Sequence, residues 1–113
     1  MKRLYLIVAL IFAISLVFAQ DKEIKEVEIK VEGVCNMCKN RIEKAVDISE
    51  VKYAKWDKRD KMLKIAFESS ITLDSLQTRI ALAGHDNEEF KATEDVYAKL
   101  PKCCYYRHNV KTH

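Results

Sequence analysis

The chain has 113 residues with 20 basic and 17 acidic side chains, a formal charge of +3. That length fits one domain, and charges so nearly balanced and interspersed leave no electrostatic footprint for nucleic acid and no polybasic membrane patch. No phosphate loop, general base or carboxylate constellation is present, so nothing in the sequence argues for an enzyme.

Residues 1–19 read as a secretory signal peptide. Lys2 and Arg3 form a positive start, residues 4–18 an apolar run, and Val17-Phe18-Ala19 a small-residue cleavage pattern before Gln20. The rival is an uncleaved anchor, because the run falls a little short of the roughly 20 residues that span a bilayer. No cysteine follows the run closely, which argues against a lipid-anchored start. Cleavage after Ala19 would lower the net charge to about +1 and release the protein to the periplasm or the exterior.

Residues 21–32 alternate, with Val27, Ile29 and Val31 on one face, the period of a half-buried strand. Gly33 breaks that pattern, and the spacing Cys35, Cys38, Ile42, Ala45 with Val46 predicts a helix entered through a cysteine-bearing turn. Residues 50–57 and 61–68 predict a hairpin around Lys58-Arg59-Asp60, and a change of parity between Tyr53 and Ala54 marks either a bulge or a strand covered on both faces. Thr72 or Asp74 starts a second helix with the face Leu73, Leu76, Ile80 and Ala83, closed by Gly84. Residues 85–92 are expected to form a short polar edge strand.

This order is the α+β, ferredoxin-like βαββαβ sandwich, an antiparallel sheet with both helices on one face, here assigned to residues 20–92. Residues 93–113 form a C-terminal appendix in which Thr93 begins a short helix, Pro101 stops it, and Cys103-Cys104-Tyr105-Tyr106 follow. Trp56 and the two tyrosines raise the question of base stacking, but without a basic groove they are assigned to packing between appendix and domain.

Cys35 and Cys38, three apart at a helix entry, lie on one side of the first turn, so their sulfurs can converge on one ion. The unpaired N–H groups and positive dipole end of the helix favour thiolate, the form that binds metal. Two sulfurs and no obvious further ligand suit Cu(I) best; Zn(II) would normally require four ligands, whereas Hg(II) and Cd(II) are as thiophilic as copper.

The stretch Gly33-Val34-Cys35-Asn36-Met37-Cys38, ahead of Lys39-Asn40-Arg41-Ile42-Glu43-Lys44-Ala45 and inside that element order, resembles the heavy-metal-associated domain family over residues 24–92. The exported single-domain layout is most similar to the branch of the periplasmic mercuric-ion binding protein; copper chaperones also belong to the family. The resemblance implies reversible capture of a metal by Cys35 and Cys38 and its transfer by ligand exchange to another metal-binding domain or a metal-transporting membrane protein, the carrier being a monomer or a metal-bridged dimer. Two departures stand out: the loop before Cys35 is one residue shorter than the family's Gly-Met-x-Cys-x-x-Cys and lacks its methionine, Met37 lying between the cysteines instead. Gly84-His85 replaces the usual glycine-aromatic pair.

His85 is therefore a candidate third ligand, against a surface role in place of an aromatic group. Cys103 and Cys104 are adjacent, so a bond between them would be strained and they are expected to reach different partners. Those partners are Cys35 and Cys38, a metal shared with His85 or His108, or a second molecule; the plain alternative is structural disulfides or spare thiols. His108 and His113 are read as solvated tail residues and Met62 as a packing residue. The rival function is a thiol–disulfide oxidoreductase, which uses the same CxxC at a helix start, although Val34 stands where that class generally places tryptophan and the chain's one proline, Pro101, lies far from the motif.

Overall fold

The computed structural model describes residues 23–108; the expected leader, its cleavage point and His113 lie outside them. Strand β1 (Ile24–Lys30) leads into helix α1 (Asn36–Ala45), followed by β2 (Val51–Trp56), β3 (Met62–Glu68), α2 (Leu73–Leu82) and a short α3 (Glu94–Ala98). Two single 3-10 turns, Lys102–Cys104 and Tyr106–His108, complete the described chain. Among the described residues no helix is long and apolar enough to cross a membrane.

The sheet has the order β1-β3-β2, antiparallel throughout, with Ile29 opposite Leu63 and Val27 opposite Ile65. Ile29, Val31, Leu63, Ile65 and Phe67 close a core against Ile42 of α1, its C-cap residue Val46, and Leu76 and Ile80 of α2. This is the inward/outward alternation that the two strand patterns predict. The irregularity in β2 is a register shift between Val51 and Tyr53, just ahead of the parity change in the sequence. The hairpin turn is held by Asp57, whose carboxylate accepts from Arg59 N, and by Asp60, which accepts from Met62 N; Lys61 takes a left-handed backbone with φ 65.

Thr72 rather than Asp74 caps α2, its hydroxyl accepting from Ser75 N at 3.2 Å. At the other end Gly84, at φ 108, closes a Schellman motif in which His85 N bonds Ile80 O and Gly84 N bonds Ala81 O. Leu100 packs so closely on this glycine that an added Cβ would meet its Cδ2 at 2.7 Å. The helix therefore ends where the appendix docks.

The expected fourth strand at 85–92 is reduced to one bridge between Val31 and Asn87, supported by Glu32 N donating to Asp86 O. Local side-chain bonds win over the ladder there: the Asn87 carbonyl accepts from Glu89 N and Phe90 N, and Asp86 accepts from Ala92 N. Asp and Asn bind their own neighbouring backbone readily, which turns the chain away from a strand.

In the appendix Thr93 stands at the N-cap position of α3, and the 3-10 turns follow Pro101. Tyr97, Leu100 and Cys104 are buried in the main core. Arg107 ties the end down, its guanidinium bonding Asp86 at 2.7 and 3.1 Å and Ala92 O at 2.7 Å while lying 4.3 Å from the Tyr97 ring centre. Tyr106 donates to Gly84 O at 2.7 Å and accepts from Asp86 N. The segment is thus anchored mainly on residues 84–92.

Candidate metal centre

The site is built where β1 hands over to α1. Cys35 is the N-cap residue of α1, with extended backbone (φ −148, ψ 177), and Cys38 follows in the first turn. The loop descends onto Trp56 at the end of β2: a Cβ on Gly33 would lie 3.0 Å from Cys38 Cβ and from two atoms of the Trp56 ring. A side chain there would press on both the indole and Cys38. Trp56, 1% exposed, donates its indole N–H to Val31 O at 2.9 Å and fills the space beneath the shortened loop. Its backbone is held from α1, with Trp56 N donating to Glu43 and Lys39 donating to both Glu43 and Trp56 O.

The Cys35 and Cys38 sulfurs are 3.5 Å apart, and Cys104 Sγ lies 3.7 Å from Cys35 Sγ. All three lie within 4.8 Å of one another and are buried, and all four cysteines are free thiols. Arg41, one turn beyond Cys38, donates Nη1 to Cys104 Sγ at 3.3 Å. Three thiols with a guanidinium beside them form a soft donor set for a thiophilic ion.

The three thiols differ in acidity. Burial alone would push Cys35 up, but the N–H groups of Cys38 and Met37 and the thiols of Cys38 and Cys104 outweigh it and hold Cys35 at about 7. Neither amide closes a full hydrogen bond to the sulfur, so their effect is that of oriented dipoles at the helix start. Burial raises Cys38, and burial raises Cys104 strongly, with the neighbouring sulfurs adding to it and Arg41 opposing it. Cys35 is accordingly the first thiolate of the set. Alkylation by iodoacetamide, followed residue by residue against pH, is expected to show Cys35 reacting with a midpoint near 7 and both others well above it; equal midpoints for Cys35 and Cys38 would refute this order.

The other candidates of the sequence fall elsewhere. Cys103 is half-buried with its sulfur 3.5 Å from Met37 Sδ, so the adjacent cysteines do diverge, one to the inner thiols and one to the exposed methionine. His85 is fully buried rather than on the surface and is not among the groups converging on the sulfurs. Its Nδ1 donates to Glu32 O at 2.8 Å, which leaves Nε2 as the bare nitrogen, with no partner among the described residues. Its ring stacks on Tyr106 at 5.6 Å, so it occupies an aromatic packing position. His108 is exposed near Tyr97 and Tyr105.

Three residues of the site were not singled out by the sequence reading: Arg41, Lys61 and Trp56 in its role under the loop. Arg41 had a legible signal, since it stands three after Cys38 on the same helix. Lys61 is lowered by burial, while the charges of Glu32, Cys38 and Cys35 oppose that, which places it within electrostatic reach of the thiols.

A three-stranded antiparallel sheet backed by two helices, with the thiol pair at the junction of first strand and first helix, is the α+β arrangement that a resemblance to heavy-metal-associated domains implies, and it is shared with solved metallochaperone structures. No protein-family model and no curated protein matches the chain. Among solved structures it is similar to the CopZ metallochaperone, at 23% identity and a TM-score of 0.53, over 56% of this chain and 98% of that one. It is similar also to a candidate copper-ion-binding protein from Bacillus anthracis str. Ames, at 26% identity and a TM-score of 0.55, over 58% of this chain and 97% of that one. The CsoZ metallochaperone, at 16% identity and a TM-score of 0.50, covers 57% of this chain with 97% of its own. Each is matched almost whole, so more than two fifths of this chain lies outside each match.

Proposed function

We propose that the protein is an exported carrier of a soft metal ion, Cu(I) before Hg(II), Zn(II) or Cd(II), which it holds on Cys35 and Cys38 and hands on by ligand exchange. The observation that carries this reading is the pair of sulfurs 3.5 Å apart at the start of α1, one of them a thiolate near neutral pH. Similarity to metallochaperones and to a candidate copper-ion-binding protein supports copper as the cargo. A Cu(I) ion accepts few sulfur ligands, and among the described residues no carboxylate or histidine joins the thiol cluster to complete the tetrahedron that structural Zn(II) prefers. The leader pattern of residues 1–19 supports export, and the acceptor is a thiol-bearing metal-binding domain or a metal-transporting membrane protein.

Anaerobic titration of the reduced protein with Cu(I) against a competing chelator tests this. Cys35→Ser and Cys38→Ser are each expected to weaken binding at least tenfold, about 1.4 kcal/mol. Retention of wild-type affinity by both variants would overturn the carrier reading.

The raised acidity of Cys35 beside Cys38 also favours a second reading, thiol–disulfide exchange. An insulin-reduction assay separates the two: the carrier reading expects no turnover above the thiol background, and sustained turnover lost in Cys35→Ser would install the redox reading instead.

A further inference from the structure

We propose that Cys104 is a third, displaceable ligand of the same ion, carried to the site by the C-terminal appendix. This rests on the carrier reading and adds to the two-cysteine motif a residue that the motif does not contain. The geometry fits the chemistry: a metal–sulfur bond of about 2.3 Å would space three trigonal sulfurs about 4 Å apart, and the present sulfurs stand 3.5 and 3.7 Å from Cys35 within a 4.8 Å triangle. Adjusting the sulfur separations by less than about 1 Å, with the two Cys35 edges opening, suffices to seat an ion.

The plain alternative is a buried cysteine acting as a small apolar filler. Two features argue against it. Arg41 donates to the Cys104 sulfur at 3.3 Å, and a guanidinium is an expensive neighbour for an apolar filler but a fitting one for a thiolate. Three thiolates on Cu(I) would also form a doubly negative centre, for which Arg41 and Lys61 supply two positive charges nearby. Placement of the thiol is specified as well. Cys104 sits in a 3-10 turn whose N–H bonds Pro101 O, between the Leu100 contact on Gly84 and the Arg107 clamp on Asp86.

The appendix also buries the site. Cys35 is 6% exposed and Cys38 and Cys104 are fully buried, so an acceptor thiolate gains room at the ion as Cys104 moves aside. On binding, the Cys104 sulfur forms a bond to the ion and its proton passes to solvent. On transfer, the acceptor's thiol forms a bond to the ion as the Cys104–metal bond breaks, and the proton lost by the acceptor returns to Cys104. No electron moves in either step.

X-ray absorption of the full-length chain loaded with one equivalent of Cu(I) tests the ligand. Three sulfurs at one short distance are expected in the wild type and in Cys103→Ser, and two in Cys104→Ser, with affinity at least tenfold lower in the last. Two sulfurs in the wild type would overturn the proposal and leave the carrier reading intact, and because the wild type itself decides, a variant that folds poorly does not blunt the test. Failure of the wild type to hold Cu(I) against the chelator would remove both. For displacement, Arg107→Ala, which loosens the appendix and keeps every thiol, is expected to transfer Cu(I) to a small dithiol acceptor at least threefold faster; an unchanged rate would overturn the displaceable part.

Discussion

Replacing Trp56 by alanine is expected to cost about 3–5 kcal/mol of stability, the range for removing a large buried aromatic group, and to weaken Cu(I) binding along with it. The indole is 1% exposed and touches the position where Gly33 turns toward Cys38. Its removal leaves a cavity under the dithiol loop and strands Val31 O, which now accepts the indole N–H. The loop would then lose the floor that sets the 3.5 Å separation of its sulfurs. Urea denaturation followed by far-ultraviolet circular dichroism measures the stability, because this is the only tryptophan. Trp56→Phe keeps most of the volume and loses the N–H, so it should cost less than half as much. An alanine variant as stable as the wild type would refute the packing account.

Acid is expected to destabilise the protein well above the usual carboxylate range, through His85. Burial holds this imidazole down at about 4 against 6.5 in its ordinary state, the bond to Glu32 O working against that and the Arg41 charge with it. Above pH 6.5 both folded and unfolded chains carry His85 neutral, and the full stability is present. Between pH 6.5 and about 4 the unfolded chain takes up a proton that the folded chain refuses, so stability falls as pH drops, by about 3 kcal/mol across that window. Asp86 adds to the loss only lower down: burial works against its ionisation, but bonds from Arg107 and Ala92 outweigh this and hold the carboxyl below 3.8. Urea midpoints measured from pH 7.5 to 4.5 check this, with His85→Gln expected to flatten the slope. A variant with the wild-type slope would show that another group is responsible.

His85 is placed by a local signal but buried by a distant one. Its place after Gly84 was legible, because the apolar face of α2 ends there and glycine closes the helix with a left-handed residue. Its burial was not, since that depends on Tyr106, 21 residues further on, stacking over the ring. The edge strand expected at 85–92 failed for a related reason: polar strand-like spacing says nothing of whether Asn87 and Asp86 will bond their own neighbours first.

Periods of two and 3.6 in the sequence were enough to order the three strands and the first two helices, and the spacing of Cys35 and Cys38 was enough to set both thiols at the start of α1. Both follow from interactions a few residues apart, which local spacing encodes. Only the tertiary structure decided that of two adjacent cysteines Cys104 turns to that pair and Cys103 to Met37. It also decided that Arg41 reaches the third sulfur and that Trp56 supports the loop from a different strand. Those choices rest on contacts between residues far apart in the chain, up to 69 positions for Cys35 and Cys104. Those contacts are set by the docking of the appendix onto Gly84 and Asp86, and no local pattern carries that information.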